Sequence, residues 1–277
     1  MKYEIRCSGT TAKDIEAYSE LLLSCFKGTE KFTPEFLYWQ YVQNPHGLIV
    51  GSNAYFEGKL VAHHATIPVL YTIFGDNYKG LLAINNVTHP DHRGKGLLTN
   101  LGKATFEEAI KLKYQFVITV TNQNSTHGYL SKFGFRLIAP LTVKLGIGSI
   151  VNSDISNSKV FAAWSDESLR WRVQNPSGRY FRKNNRIIAK TGIPGIYAQL
   201  KDSNDLRLDS IGIKTKRSNI IVWMGLSNRI KIRGYFISMP EILKPSPLNL
   251  LFKDLQGNLP KFGKEDINFE LADFDAF

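Results

Sequence analysis

Hydrophobic and polar positions change period several times along the first 145 residues, and each change marks an element. Residues 2–7 alternate as a strand does. Over 12–26, Ile15, Tyr18, Leu22 and Cys25 fall on one helical stripe, with Thr10 or Thr11 placed to cap it. Thr33-Pro34-Glu35 opens a second helix that carries Phe36, Leu37, Trp39 and Tyr41 and stops by Asn44-Pro45. Glu57-Gly58-Lys59 turns the chain between strands at 53–56 and 60–73, and Gly75-Asp76-Asn77 turns it into a strand at 78–87. An amphipathic helix, an apolar strand, a short helix closed by Gly134-Phe135 and a strand at 136–145 complete the series. The order is strand, two helices, three strands, helix, strand, helix, strand.

The segment after strand 78–87 carries chemistry. His89-Pro90-Asp91-His92 ends the strand, because proline cannot donate to a ladder. Arg93-Gly94-Lys95-Gly96 follows, and Leu97-Leu98 opens the amphipathic helix. Glycines admit a ligand close to the backbone, and the free N–H groups of a first helical turn point at an anion along the positive end of the dipole. Arg93 and Lys95 add charge, so the loop suits a pyrophosphate.

Arg93-Gly94-Lys95-Gly96-Leu97, led in by Val87-Thr88-His89-Pro90-Asp91, resembles the pyrophosphate loop of the GNAT superfamily of acyl-CoA-dependent N-acyltransferases. That pattern is Arg/Gln-x-x-Gly-x-Gly/Ala after a strand; here Leu98 stands in place of the last small residue. Asn122, Ser125, Tyr129 and Gly134-Phe135 resemble the family's closing strand–helix motif, with the tyrosine one residue further from Gly-Phe than is usual. The resemblance covers about the first half of the chain. It implies an α/β (α+β) fold with a mixed central sheet splayed at the CoA site, and acetyl-CoA or another short acyl-CoA as co-substrate. It implies cofactor contacts from Val87, Thr88, Arg93, Gly94, Lys95, Gly96, Leu97, Leu98, Asn122 and Ser125, and a backbone N–H near Val87 for the thioester oxyanion.

Downstream, residues 146–159 are rich in Gly, Ser and Asn and read as a connection. Beyond them a pattern returns. Glu35-x-Leu37-x-Trp39 with Asn44-Pro45-x-Gly47 recurs as Glu167-x-Leu169-x-Trp171 with Asn175-Pro176-x-Gly178, and Ile67-Pro68 has a counterpart in Ile193-Pro194. No Gly-rich basic loop follows in the second copy. Its later part is strand-like, with Ser227-Asn228 as a hairpin turn, and the aromatic ending from Phe269 to Phe277 reads as packed. The expected division is a catalytic domain at 1–146, a linker at 147–160, and a smaller, incomplete GNAT-like domain at 161–277 that binds no CoA.

Composition narrows the function. Hydrophobic content of 43% and charged content of 21% are those of a globular protein. No apolar run approaches the ~20 residues that span a bilayer, and the first residues lack the apolar segment of a signal peptide. With only Cys7 and Cys25, a reducing cytoplasm is expected, and no Cys/His cluster has metal-ligand spacing. The net charge of +11 is scattered without a nucleic-acid-binding signature, and suits polyanionic small molecules such as CoA.

N-acyl transfer also needs proton movement. By its match to the family position, Tyr129 is the candidate general acid, with His127 as a weaker neighbour. The base is open between His63 or His64, which alternate across a strand, Glu35, the terminal carboxylate of Phe277, and water. Trp39-x-Tyr41-x-x-Asn44-Pro45 resembles a subset of GNAT proteins in surface-polysaccharide pathways, which implies a nucleotide-linked amino sugar as acceptor. Trp39 and Tyr41 would stack on it, and Asn85, two residues before Val87, would give a polar contact. The alternatives are another small amine or a protein lysine as acceptor, and a GNAT-shaped protein that binds a ligand without turnover.

Overall fold

The computed structural model describes residues 2–152, 158–202, 212–216, 220–227, 230–239 and 246–274. The first elements follow their sequence signals. Strand β1 (Glu4–Cys7) leads to α1 (Ala12–Cys25), where Thr11 and Asp14 form a reciprocal capping box. Helix α2 (Pro34–Tyr41) starts on Thr33, whose hydroxyl accepts the Phe36 N–H. Both helices bury one face, with Tyr18, Leu22, Phe36, Leu37 and Tyr41 shielded from solvent.

The first-half sheet runs β1, β2 (Val50–Phe56), β3 (Lys59–Ile73), β4 (Asp76–Thr88), β5 (Phe116–Thr121), with β4 and β5 parallel and the other pairs antiparallel. Helices α3 (Leu97–Lys111) and α4 (Gln123–Phe133) complete this half. The sheet is mixed, as expected.

The far edge departs from the expected order. The single strand foreseen at 136–145 divides at Leu141 into β6 (Arg136–Pro140) and β7 (Thr142–Asn152). A strand from much later in the chain, β14 (Asn249–Asp254), lies between β5 and β6 and is antiparallel to both. Strand β7 leaves for the second half.

The foreseen linker at 147–160 is therefore corrected: residues 147–152 belong to β7. The glycines there serve a close antiparallel strand pairing instead of a flexible connection. A Cβ on Gly146 would meet the Tyr235 carbonyl oxygen, and one on Gly148 that of Arg233. The strands after it are β8 (Val160–Ala162), β9 (Tyr180–Lys183), β10 (Arg186–Lys190), β11 (Ile196–Asp202), β12 (Ile220–Leu226), β13 (Ile230–Ser238) and, past β14, β15 (Ile267–Glu270). β7 sits between β12 and β13, which do not pair with each other, so the hairpin expected at Ser227-Asn228 is not formed; Asn228 lies outside the described residues. β8 joins the halves, antiparallel to β3 and parallel to β15.

The repeated motif folds alike in both places. Helix α5 (Asp166–Val173) has the eight-residue length of α2 and a Ser165 cap, and Asn44 and Asn175 each accept from the N–H two residues on. After each helix come three antiparallel strands, β2–β3–β4 and β9–β10–β11, and then a parallel partner, β5 or β12. The Ile-Pro pairs are not equivalent: Ile67-Pro68 lies within β3, Ile193-Pro194 between β10 and β11. One apolar core runs through both halves and takes in Phe269, Leu271 and Phe274. Among the described residues no helix is long and apolar enough to cross a membrane.

Candidate active site

β4 and β5 are paired only from Gly80–Phe116 to Leu82–Ile118; beyond, they diverge. A bulge in β4 accompanies the divergence. Ala65 faces Ile84 while His63 faces Val87, so two steps of β3 span three of β4. Asn85 takes up the extra residue at φ 51°, a left-handed conformation that asparagine tolerates better than most residues. Side chains pin the bulge from both sides. Asn85 Nδ2 donates to Gln40 Oε1 at 2.6 Å and to the Tyr41 hydroxyl at 2.9 Å. Asn86 Oδ1 accepts the Ala65 N–H at 2.9 Å, and its Nδ2 donates to the Tyr129 hydroxyl at 2.5 Å.

The glycine loop follows a short 3-10 turn over Pro90–His92. Gly94 and Gly96 adopt φ 74° and 72°, and a Cβ on either would project into open space. α3 starts on Gly96 without a side-chain cap, which leaves first-turn N–H groups for a ligand. The loop, Leu97–Thr99 of α3, Asn86–Thr88 of β4 and one face of α4 enclose a cleft of about 680 Å³, closed at one side by Cys25 and Phe26. Among the described residues its lining includes Arg93, Lys132, His92 and His127 but no aspartate or glutamate. Such a cleft favours anions.

Tyr129 lines this cleft although only 5% exposed, its ring edge-on to Phe133 and Phe135. Burial raises its pKa, so the phenol keeps its proton at neutral pH. The unusual spacing to Gly-Phe is absorbed by the helix end, where Gly134 at φ 67° closes onto the Tyr129 carbonyl. Ser125 also lines the cleft; Asn122 instead caps α4, accepting the Ser125 N–H at 3.0 Å.

The remaining candidates lie apart from the cleft. Glu35 is exposed in the first turn of α2, where an acid complements the dipole. Trp39 is buried against Trp171. Tyr41 is fully buried and forms a relay: Asn85 donates to its oxygen, and the tyrosine lies 3.2 Å from His63 Nε2. His63 Nδ1 lies 2.6 Å from Asn53 Oδ1, which assigns it the hydrogen, and the ring stacks on Tyr18. His64 has no exposed surface, packs on Phe106 and Phe133, and neither ring nitrogen has a hydrogen-bond partner among the described residues. Burial pushes both imidazoles down to about 3, so they are neutral. Asn85 spends its donors on α2, because the bulge breaks the period-two reasoning that set it beside Val87. Phe277 lies outside the described residues.

Asn86, Lys132, Cys25 and Phe26 escaped the sequence reading. For Asn86 a signal existed: two adjacent asparagines inside an apolar strand mark a bulge.

Residues 6–138 match the family model described as the acetyltransferase (GNAT) domain. The chain also resembles solved structures. A conserved protein from Enterococcus faecalis V583 is 10% identical, with a TM-score of 0.60 over 92% of this chain and 73% of that one. GCN5-related N-acetyltransferases from Anabaena variabilis ATCC 29413 and Kribbella flavida are 11% and 9% identical, with TM-scores of 0.58 and 0.60. Each alignment covers 91% of this chain, with 73% of the Anabaena protein and 71% of the Kribbella protein. At these identities the likeness is one of fold. No curated protein sequence matches the chain.

Proposed function

We propose a nucleotide-linked amino sugar as the acceptor of this chain, which carries a GNAT acetyltransferase domain in residues 6–138 and is an acyl-CoA-dependent N-acyltransferase. The observation that carries the reading is the cleft itself. Its basic lining carries no carboxylate among the described residues, which would receive an anionic acceptor beside a polyanionic donor and disfavour a polycationic amine.

The residues present fit acyl-CoA. Open space at Gly94 and Gly96 and the uncapped start of α3 leave room and N–H donors for a pyrophosphate. Beyond Leu82 the β4 edge toward β5 has no ladder partner among the described residues, and an amide-bearing arm would add there as a strand does. Tyr129, neutral and at the cleft wall, holds a proton for the departing sulfur. His63, His64 and Glu35 do not line the cleft, which leaves water at its mouth and the Phe277 carboxylate, outside the described residues, to take the proton lost by the amine.

We read the second half as an incomplete copy of the first. The repeated Trp/Asn-Pro motif, the matching strand order and the parallel β11–β12 pair support this. Its role is to complete the core and the sheet.

The test is thiol release from acetyl-CoA against a panel of amines: nucleotide-linked amino sugars, a polyamine, an aminoglycoside and a lysine peptide. Turnover confined to the nucleotide-linked sugars is expected. Preference for the polyamine or the aminoglycoside would overturn the acceptor assignment, and absence of turnover with every amine would favour a binding protein.

A further inference from the structure

A phenol offers one hydrogen and an oxygen that accepts, and its neighbours decide where the hydrogen goes. The partner of Tyr129 is Asn86, whose amide cannot be turned around. The Ala65 N–H can only donate, so the atom facing it at 2.9 Å is Oδ1. The atom 2.5 Å from the Tyr129 oxygen is then Nδ2, an amide nitrogen that does not accept. Tyr129 must therefore receive a hydrogen bond from Asn86 and direct its own hydrogen elsewhere. Phe133 and Phe135 occupy the ring's flanks, and both Asn86 and Tyr129 line the cleft. The cleft is the open direction.

We propose that Asn86 is a positioning residue that holds the Tyr129 hydroxyl with its hydrogen aimed into the cleft, toward the place of the departing sulfur. The inference rests on the general-acid reading of Tyr129 given above. The bulge supplies the precision: Asn85, held by Gln40 and Tyr41, fixes the backbone from which Asn86 projects. In the step served, the amine nitrogen bonds to the acyl carbon and the carbon–sulfur bond breaks with its electron pair on sulfur. The Tyr129 proton passes to that sulfur to give the thiol. The nitrogen releases one proton to water, and the tyrosinate takes one back, so no other reactant is needed.

The test uses Asn86→Asp, which retains an acceptor for Ala65 but replaces the donor with a group that would itself draw the tyrosine hydrogen. It is compared with Tyr129→Phe and the double variant. Calorimetry measures affinity for CoA and for desulfo-CoA, which lacks the thiol, at neutral and at alkaline pH. In the unaltered protein the preference for CoA should grow about tenfold as the thiol ionises and accepts the Tyr129 hydrogen. Both single variants should lose that growth while desulfo-CoA affinity holds, and the double variant should match Tyr129→Phe. For acetyl transfer to an accepted amine, kcat should fall with KM for acetyl-CoA nearly unchanged. If Tyr129→Phe loses the pH-dependent preference and Asn86→Asp keeps it, the inference on Asn86 falls and Tyr129 stands. If Tyr129→Phe itself behaves as the unaltered protein, the general-acid reading falls first. Should Asp at this position prevent folding, Asn86→Ala serves: partial loss of the preference supports the inference, and full retention overturns it.

Discussion

The indoles of Trp39 and Trp171 lie stacked with centroids 4.8 Å apart and planes 16° from parallel, and each donates its Nε1–H to the other residue's backbone carbonyl, at 2.8 and 3.0 Å. The repeated motif thus meets its own second copy, and the contact is reciprocal in both stacking and hydrogen bonding. Trp39, stacked on Trp171 and only 4% exposed, is not open to a sugar from solvent. Trp171→Ala should lower unfolding free energy by about 3–4 kcal/mol, from lost burial and the loss of its own Nε1–H bond to the Trp39 carbonyl; the backbone carbonyl that Trp39 uses stays in place. Urea denaturation measures the loss, and CoA affinity should change little, since neither tryptophan lines the cleft.

At Gly96 the fold leaves vacant the room that a side chain would take. Gly96→Asp should cost about 1 kcal/mol of stability through its left-handed backbone. It should weaken CoA binding by more than about tenfold, because a carboxylate would occupy phosphate space. Gly96→Ala should fall between the two proteins in calorimetric titration. Equal affinity for CoA in all three would remove the loop from the site.

Tyr129→Phe should reduce turnover by about a hundredfold and leave CoA affinity within about threefold, as expected for loss of a proton donor. Steady-state kinetics with an accepted amine separates the two. Stability should fall by about 1 kcal/mol, because the Asn86 amide would lose its acceptor.

The paired histidines give the fold a pH dependence. Both have pKa values pushed down to about 3 from an ordinary 6.5, so between those values the unfolded chain binds more protons than the folded one. Stability must then decline as pH falls below about 6.5, each histidine contributing a slope of up to about 1.4 kcal/mol per pH unit. His64→Met should remove up to about 1.4 kcal/mol per pH unit from the slope of denaturation curves collected from neutral to acid pH, whatever buried Asp273, whose raised pKa acts in the opposite sense, contributes. An unchanged slope would mean that His64 takes up its proton without unfolding.

Local signals carried far in this chain. Thr11, Thr33 and Pro34 start their helices where side-chain chemistry requires, and the glycine loop falls between β4 and α3 as its composition foretold. What escaped depends on distant partners. Nothing in Asn249–Asp254 says that β5 and β6 will receive it, because strand pairing is fixed by tertiary fit. Gly146 and Gly148 look like part of a connection until β13 pairs alongside them. Period-two reasoning failed at Asn85 because a bulge shifts every later residue on the strand by one.

The insertion of β14 has a temporal side. As the chain leaves the ribosome, the loop that would take the coenzyme emerges long before Asn249–Asp254, the strand that β5 and β6 flank. Until those six residues arrive, the nascent sheet carries a gap next to its reactive strands, with two bare edges open to wrong pairing. A gene fragment cut after position 146 would stay in that condition, so the first half expressed alone should be prone to mispairing at those edges.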